Sequence, residues 1–299
     1  MTGNFFSDVR SEPLLQAALA AGGLSSIACG AVGTFVVVRR ISYVAAGISH
    51  SILGGMGAAI YLSSVHGMTW ATPLTGAVVA ALLSAAIIGI ASLRFKQRED
   101  TVISALWAIG MATGVIFIAK SPGYQQNLMS YLFGDILIVP SGQLWLIAIL
   151  DAVVLLLSGL FYKQLLAVCF DEEFARSRGV NVQAYYLLLL GLTALTVVLL
   201  VTVVGTVLTI ALLTLPVAVA AVLARRLWQV MLAAVLLSLL LTTSGLALSY
   251  GPELPSGAVI IVLAGAAYLL VLAGQSLRGR RKGKSIAATP ATTTLKEDP

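Results

Sequence analysis

Long apolar runs separated by short polar breaks make up most of the chain, and each run has the length of a membrane-spanning helix. A bilayer core takes about 20 apolar residues of helix to cross. The predicted spans cover residues 14–38, 44–63, 73–93, 101–119, 143–161, 184–203, 206–223, 228–249 and 256–276. The pattern therefore predicts an all-α polytopic membrane protein with eight or nine transmembrane helices.

Three places interrupt this simple pattern. The fifth predicted span carries Asp151 in its middle, so whether it crosses the membrane fully is open. The apolar stretch 184–223 is too long for one span, and Gly205 is the predicted turn. Residues 120–142 contain proline, glycine and polar side chains, and they are predicted to lie at the outer face because lipid does not tolerate irregular backbone.

Composition supports the membrane assignment. The 299 residues are 59% hydrophobic and only 10% charged, whereas about a quarter of the residues in a soluble domain are charged. One transmembrane domain is predicted over residues 14–276. A short outer segment, 1–13, precedes it, and a basic and then disordered cytoplasmic tail, 277–299, follows it.

The positive charges predict an orientation. Most of the 18 Lys and Arg residues stand in short clusters between alternate apolar runs. An outer N-terminus and a cytoplasmic C-terminus leave only Arg10 and Lys120 outside, as the positive-inside rule requires. Clusters of this kind favour contact with anionic membrane lipid, and they argue against nucleic acid as the partner of this net charge of +6.

The second span contains the stretch GISHSILGGMG, residues 47–57, which combines small residues with a histidine. Gly47, Ser51 and Gly55 recur at a spacing of four, and His50 and Gly54 form a second such row beside them. On a helix these rows predict one contiguous small-residue face for close helix packing. His50 itself has two interpretations: it hydrogen-bonds a neighbouring helix, or it lines a pathway as a ligand for a divalent metal.

Five stretches, taken in order, resemble one transporter family. They are RRISYVAAGISHSILGG, REDTVISALWAIGMATG, YLFGDIL, FDEEFARSRGVNV and GTVLTIALLTLPVAVAA. Each is similar to a motif of the zinc/manganese/iron-type permeases of bacterial ABC importers, the ZnuB and MntB group. The resemblance runs from about residue 14 to residue 276.

The resemblance implies a function and a set of partners. It implies the ABC importer permease fold and a homodimeric permease in the bacterial cytoplasmic membrane. A separate ATP-binding subunit would hydrolyse ATP, so this chain is not expected to be an enzyme. An extracytoplasmic metal-binding protein would deliver the ion. The divalent metal is then cargo, with zinc expected ahead of manganese and iron, and no cofactor is expected to be stably bound.

A coupling segment is expected over about residues 165–182. Glu173, Ala175 and Gly179 fit the loose E-x-A-x3-G pattern of importer permeases. A short polar helix there would dock on the ATPase, and the alternative is a solvated loop.

Other residues are further candidates for the pathway. Asp151 and Asp135 are possible metal-interacting carboxylates, and Pro216 in the seventh span is either a hinge or a tolerated kink. Many members of the family carry an aspartate one helical turn before the histidine, where this chain has Ala46. The lone His50 is therefore expected to form a weak transit point, to which a second protomer contributes its own His50.

Two rival functions stay open. One is an ABC permease for another solute, such as a metal chelate or a vitamin. The other is a secondary transporter or channel, which would have no need of an ATPase-docking segment.

Overall fold

Helices are the regular elements of the structure, a computed structural model that describes residues 5–95, 99–122, 141–252 and 254–287. The described part contains no strand. The helices are α1 (Phe5–Ser11), α2 (Pro13–Val38), α3 (Ser42–His66), α4 (Pro73–Phe95), α5 (Glu99–Ala119), α6 (Ser141–Leu160), α7 (Tyr162–Phe170), α8 (Glu172–Ser177), α9 (Val182–Val204), α10 (Thr206–Leu223), α11 (Leu227–Tyr250) and α12 (Ser256–Ala287).

The predicted number of spans is confirmed. Eight helices of the described part, α2 to α5 and α9 to α12, are long and apolar enough to cross a membrane. A ninth candidate is the pair formed by α6 and α7, which bends by 70° between Leu160 and Tyr162. Asp151 lies within α6, so the predicted fifth span is helical and its break comes at the end of the helix.

Gly205 separates α9 from α10, as predicted. Its φ of 79° and ψ of 171° lie in a region that side chains with a Cβ rarely occupy. The Thr209 hydroxyl then donates to the Gly205 carbonyl at 2.6 Å within the first turn of α10. A single residue therefore ends one apolar helix and starts the next.

The predicted C-terminal tail and the predicted outer segment can be compared with the structure only in part. Helix α12 continues to Ala287, well past the predicted end of the span at residue 276, so the basic segment begins as a continuation of the helix. The rest of the tail, 288–299, lies outside the described residues. So does 123–140, which is most of the predicted outer segment.

Helix α3 lies between α4 and α5, and glycines on these helices allow their backbones to approach closely. A Cβ added to Gly54 would lie 2.8 Å from the carbonyl oxygen of Gly110 on α5. One added to Gly57 would lie 2.6 Å from the carbonyl oxygen of Gly114. These distances leave no room for a side chain, and α3 is accordingly buried over most of its length.

The small residues of α3 serve two neighbours instead of forming the single predicted face. Gly47 and Gly54 pack against α5, whereas Gly55 packs against the backbone of α4. The Ser51 hydroxyl is 2.7 Å from that of Ser84, which also lies on α4. The side chains of consecutive helical residues point about 100° apart, so small residues at adjacent positions of α3 face two different helices.

Contacts between chain segments agree with the predicted alternation of the spans. Arg39, just after α2, pairs with Glu172 at the start of α8, and both segments were predicted to be cytoplasmic. The Tyr250 hydroxyl at the end of α11 donates to Asp8 of α1 at 3.2 Å, and both were predicted to lie outside. Which end of the bundle faces the cytoplasm stays a prediction.

Gly54→Ala tests the close packing of α3 on α5. The added methyl group must displace the backbone of α5, so we expect a loss of about 1–3 kcal/mol in stability, the usual range for overpacking. Thermal unfolding of the purified permease in detergent measures this effect. Gly191→Ala is the matched control, because no atom beyond the adjacent backbone of its own helix lies within 4 Å of a Cβ there. Equal unfolding temperatures for the two variants would contradict the packing described above.

Candidate functional site

His50 lies on α3 with its ring stacked on the indole of Trp107 from α5. The ring centroids are 4.3 Å apart and the planes differ by 3°. The residue is only 8% exposed. Neither ring nitrogen makes a hydrogen bond to any residue that the structure describes. The histidine ring is thus held by stacking. The hydrogen bond to a neighbouring helix, one of its two interpretations, does not form to any described residue, and the ring nitrogens are available to a ligand.

Trp107 is itself held in place by its neighbours. Its indole N–H points at the Met111 sulfur at 3.1 Å, and the Tyr43 ring lies 6.4 Å away. The Tyr43 and Ser104 hydroxyls are 2.8 Å apart, which links α3 to α5 a second time. Trp107 stood within one of the stretches used for the family resemblance, but sequence reasoning did not select it. Pairing Trp107 with His50 would have required knowing from the sequence that α3 and α5 are neighbours.

A complete metal site is absent from the described part of the chain. No group of three or more His, Cys, Asp or Glu side chains is close enough there to hold an ion. Ala46, one turn before His50, contributes only a buried methyl group. His50 is thus a single ligand, far short of the four that enclose a structural zinc ion.

The two candidate carboxylates do not join His50 in the described structure. Asp151 lies on α6, which packs mainly against α2 and α9, whereas α3 packs mainly between α4 and α5. Its side chain is 2% exposed, and Oδ1 has no hydrogen-bond partner among the described residues. Asp135 lies outside the described residues.

The predicted coupling segment forms the end of α7, the short helix α8 and the start of α9. The Asp171 carboxylate accepts a hydrogen bond from the Phe174 backbone N–H at 2.9 Å and caps α8. Ala175 is 1% exposed and packs with Val168 and Val182. Gly179 ends the segment with a φ of 79°. The loop alternative is therefore wrong for residues 172–177, which are helical.

The outer side of α8 is an exposed surface of mixed chemistry. Glu173 is exposed, and Phe170 and Phe174 are 67% and 53% exposed. The Arg178 guanidinium lies 5.3 Å from the centre of the Phe174 ring. Acidic, aromatic and basic groups therefore lie on and beside α8, whose buried Ala175 packs against the rest of the segment.

Pro216 is buried inside α10, which continues to Leu223. Gly33 of α2 lies against this region: a Cβ there would be 2.5 Å from the Leu213 carbonyl oxygen and 3.2 Å from a methyl carbon of Val217. The helix runs through the proline without a break. Its role as a hinge stays a prediction.

Comparison with known proteins identifies the family. Residues 11–275 match the ABC 3 transport family. A "probable metal transport system membrane protein" of Chlamydia pneumoniae is 39% identical over 85% of this chain and 86% of its own length. The "manganese transport system membrane protein MntC" of Halalkalibacterium halodurans is 33% identical over 89% of each chain.

A solved structure agrees with the sequence matches. PsaBC from Streptococcus pneumoniae, in complex with Fab, superposes with a TM-score of 0.79 at 31% identity, and the match covers 91% of this chain and 95% of that one. The protein thus belongs to the ABC 3 transport family. It is a permease subunit of an ABC transporter, a transport component and not an enzyme, and the expected family and fold are confirmed.

Stacking should protect His50 from chemical modification. We expect diethyl pyrocarbonate to modify His50 several-fold more slowly than the exposed His66, because His50 is only 8% exposed and the adjacent Trp107 ring limits access to it. Trp107→Ala should raise the rate at His50 and leave His66 unchanged. Peptide mass spectrometry follows both residues, the only two histidines in the chain.

Trp228→Ala is the control for this experiment, since that indole is half exposed on α11. Wild-type His50 that reacts as fast as His66 would contradict the stacked arrangement.

Proposed function

We propose that this protein is the membrane-spanning permease of an ATP-driven importer of divalent metal ions. One observation carries the proposal: His50 is a buried imidazole, held by stacking between closely packed helices, with both nitrogens unpaired within the described residues. Polar groups inside membrane helices are costly and usually mark a pathway. The names of the two relatives in Chlamydia and Halalkalibacterium, both metal transport proteins, support the same cargo.

A single imidazole is better suited to a site through which a metal ion passes than to a site that holds the ion permanently. Conduction requires a site that binds well enough to admit the ion and weakly enough to release it. A second copy of the chain, brought together around a shared pathway, would supply a second His50. Two imidazoles without a carboxylate at Ala46 form a weak pair of ligands, so the ion is cargo and not a resident cofactor.

Zinc and manganese are the two candidate ions. Nitrogen ligands bind zinc more tightly than manganese, and carboxylates favour manganese. The absence of a carboxylate beside His50 therefore favours zinc, whereas the relative named for manganese transport favours manganese. Uptake measured with zinc and manganese present together will show which of the two ions the transporter prefers.

The remaining parts of the importer are separate proteins. An ATP-binding subunit docks on α8 through the surface that includes Glu173, with Ala175 and Gly179 fixing the shape of the segment. An extracytoplasmic metal-binding protein delivers the ion to the opposite end. The permease works as a homodimer in the bacterial cytoplasmic membrane, with its N-terminus outside and its basic C-terminal segment against the anionic lipid of the cytoplasmic leaflet.

His50→Ala tests the proposed pathway. We expect ATP-dependent uptake of zinc or manganese to fall roughly tenfold or more, since even a group that only positions a metal ligand is worth about 10–100-fold in affinity. The measurement is radioactive metal uptake into proteoliposomes that contain the permease, its ATPase and its metal-binding protein. His66→Ala is the matched control, because that histidine is exposed at the end of α3.

Assembly with the ATPase must be verified for each variant by co-purification. Unchanged uptake by an assembled His50→Ala complex would remove His50 from the pathway. Uptake by the wild type that persists without the ATPase would instead exclude the ABC mechanism.

A further inference from the structure

Five polar side chains form a continuous network at one end of the bundle. We call them the Arg39 network: Arg39, Glu172, Tyr186, Glu99 and Ser92. They come from the end of α2 and from α8, α9, α5 and α4, respectively. Five separate parts of the chain therefore meet through polar contacts.

Arg39 is the hub of the network. Its guanidinium forms a salt bridge with Glu172, the first residue of α8, and donates to the Val168 carbonyl at 3.0 Å. It also lies 5.6 Å from the centre of the Tyr186 ring. The pair with Glu172 is the only salt bridge among the described residues. Arg39 thus holds both sides of the bend between α7 and α8.

Tyr186 extends the network to α5. Its side chain is 3% exposed, and its hydroxyl donates to the Glu99 carboxylate at 3.1 Å. The Ser92 hydroxyl donates to the same oxygen. Hydrogen bonds to a charged acceptor are stronger than neutral ones, and a buried phenol restricts where that acceptor can sit. The first residue of α5 is therefore tied to α9 and α4 together.

Apart from the Arg39 network, helix α5 is held mainly by its close packing on α3. Its main packing partners are α3 and, to a lesser extent, α4, and most of its surface is not buried. Glu99 and Trp107 lie eight residues apart, which is about 12 Å along the helix axis. The same helix thus carries the network at its start and the ring that covers His50 two turns later.

We propose that the Arg39 network transmits movement of the coupling helix α8 to α5 and so shifts Trp107 relative to His50. Arg39, Tyr186 and Glu99 are then positioning residues: they touch no metal, but they set where the indole stands. This inference rests on the proposed function, since it requires that an ATPase act on α8 and that metal pass His50.

A network that only stabilises the fold makes a different prediction. Its loss would lower the amount of assembled complex and reduce ATP hydrolysis and metal uptake in the same proportion. A transmitting network, once cut, leaves hydrolysis running while transport fails. The number of metal ions taken up per ATP hydrolysed separates the two cases.

Tyr186→Phe removes the hydroxyl and keeps the ring under Arg39. In proteoliposomes that contain the complete transporter, we expect ions per ATP to fall roughly tenfold, the factor that corresponds to one hydrogen bond to a charged acceptor. Tyr185→Phe is the matched control on the adjacent residue, whose hydroxyl makes no hydrogen bond within the described residues. Its ratio should equal that of the wild type.

Two variants of Glu99 provide an independent test. Glu99→Gln keeps an oxygen that accepts from Tyr186, though more weakly because it is neutral, and should retain more of the transport ratio than Glu99→Leu, which removes the acceptor. The same preparations allow diethyl pyrocarbonate modification of His50 to be measured with and without ATP. ATP should change that rate in the wild type and in Tyr185→Phe, but not in Tyr186→Phe.

The outcomes are distinguishable. A wild-type complex that shows no ATP-dependent metal uptake refutes the proposed function itself. Wild-type uptake together with an unchanged ratio in Tyr186→Phe refutes the transmission role alone. A parallel loss of uptake and hydrolysis in Tyr186→Phe also refutes it, because the network would then be structural.

Discussion

The close approach of α3 to α4 and α5 is the constraint on which the rest of the structure depends. Apolar side chains gain little by leaving lipid for another apolar surface, so helix association in a membrane depends on close packing. Glycines at 54 and 110, and at 57 and 114, meet across the α3–α5 interface. A methyl group at any of these positions would separate the two helices, and with them the rings of His50 and Trp107.

This packing explains how an imidazole is accommodated inside an apolar bundle. The ring is covered by the indole on one face and makes no hydrogen bond to the described protein. The ring is buried and keeps its nitrogens free of hydrogen bonds to the described residues, as the proposed transit site requires. The Arg39 network then gives α5, the helix that carries the indole, a connection to the segment on which the ATPase would act.

Sequence patterns predicted the larger features well because they depend on local physics. Apolar run length predicted the spans, Gly205 marked the break between α9 and α10, and motif order indicated the transporter family. The coupling segment was predicted from its E-x-A-x3-G pattern, and the structure adds that Asp171 caps its helix and that Ala175 is buried. Asp151 raised doubt about the fifth span, yet that span is helical and bends only after Leu160.

Sequence reasoning did not predict the contacts between segments that are distant along the chain. Small residues of α3 were assigned to one face, but consecutive positions such as Gly54 and Gly55 serve different neighbours. Trp107 was not selected, and Arg39 was counted among the positive charges of a cytoplasmic loop without any predicted partner. Each pairing depends on which helices become neighbours, and the period of a single helix does not contain that information.

The most direct test of the central claim changes the chemistry of the ligand while keeping a ligand in place. Thiolate favours zinc over manganese more strongly than imidazole does. If the ion contacts residue 50, His50→Cys in the complete transporter should raise the ratio of zinc to manganese uptake above that of the wild type, and Ser49→Cys on the adjacent residue should not. An active His50→Cys transporter with an unchanged ratio would contradict the account.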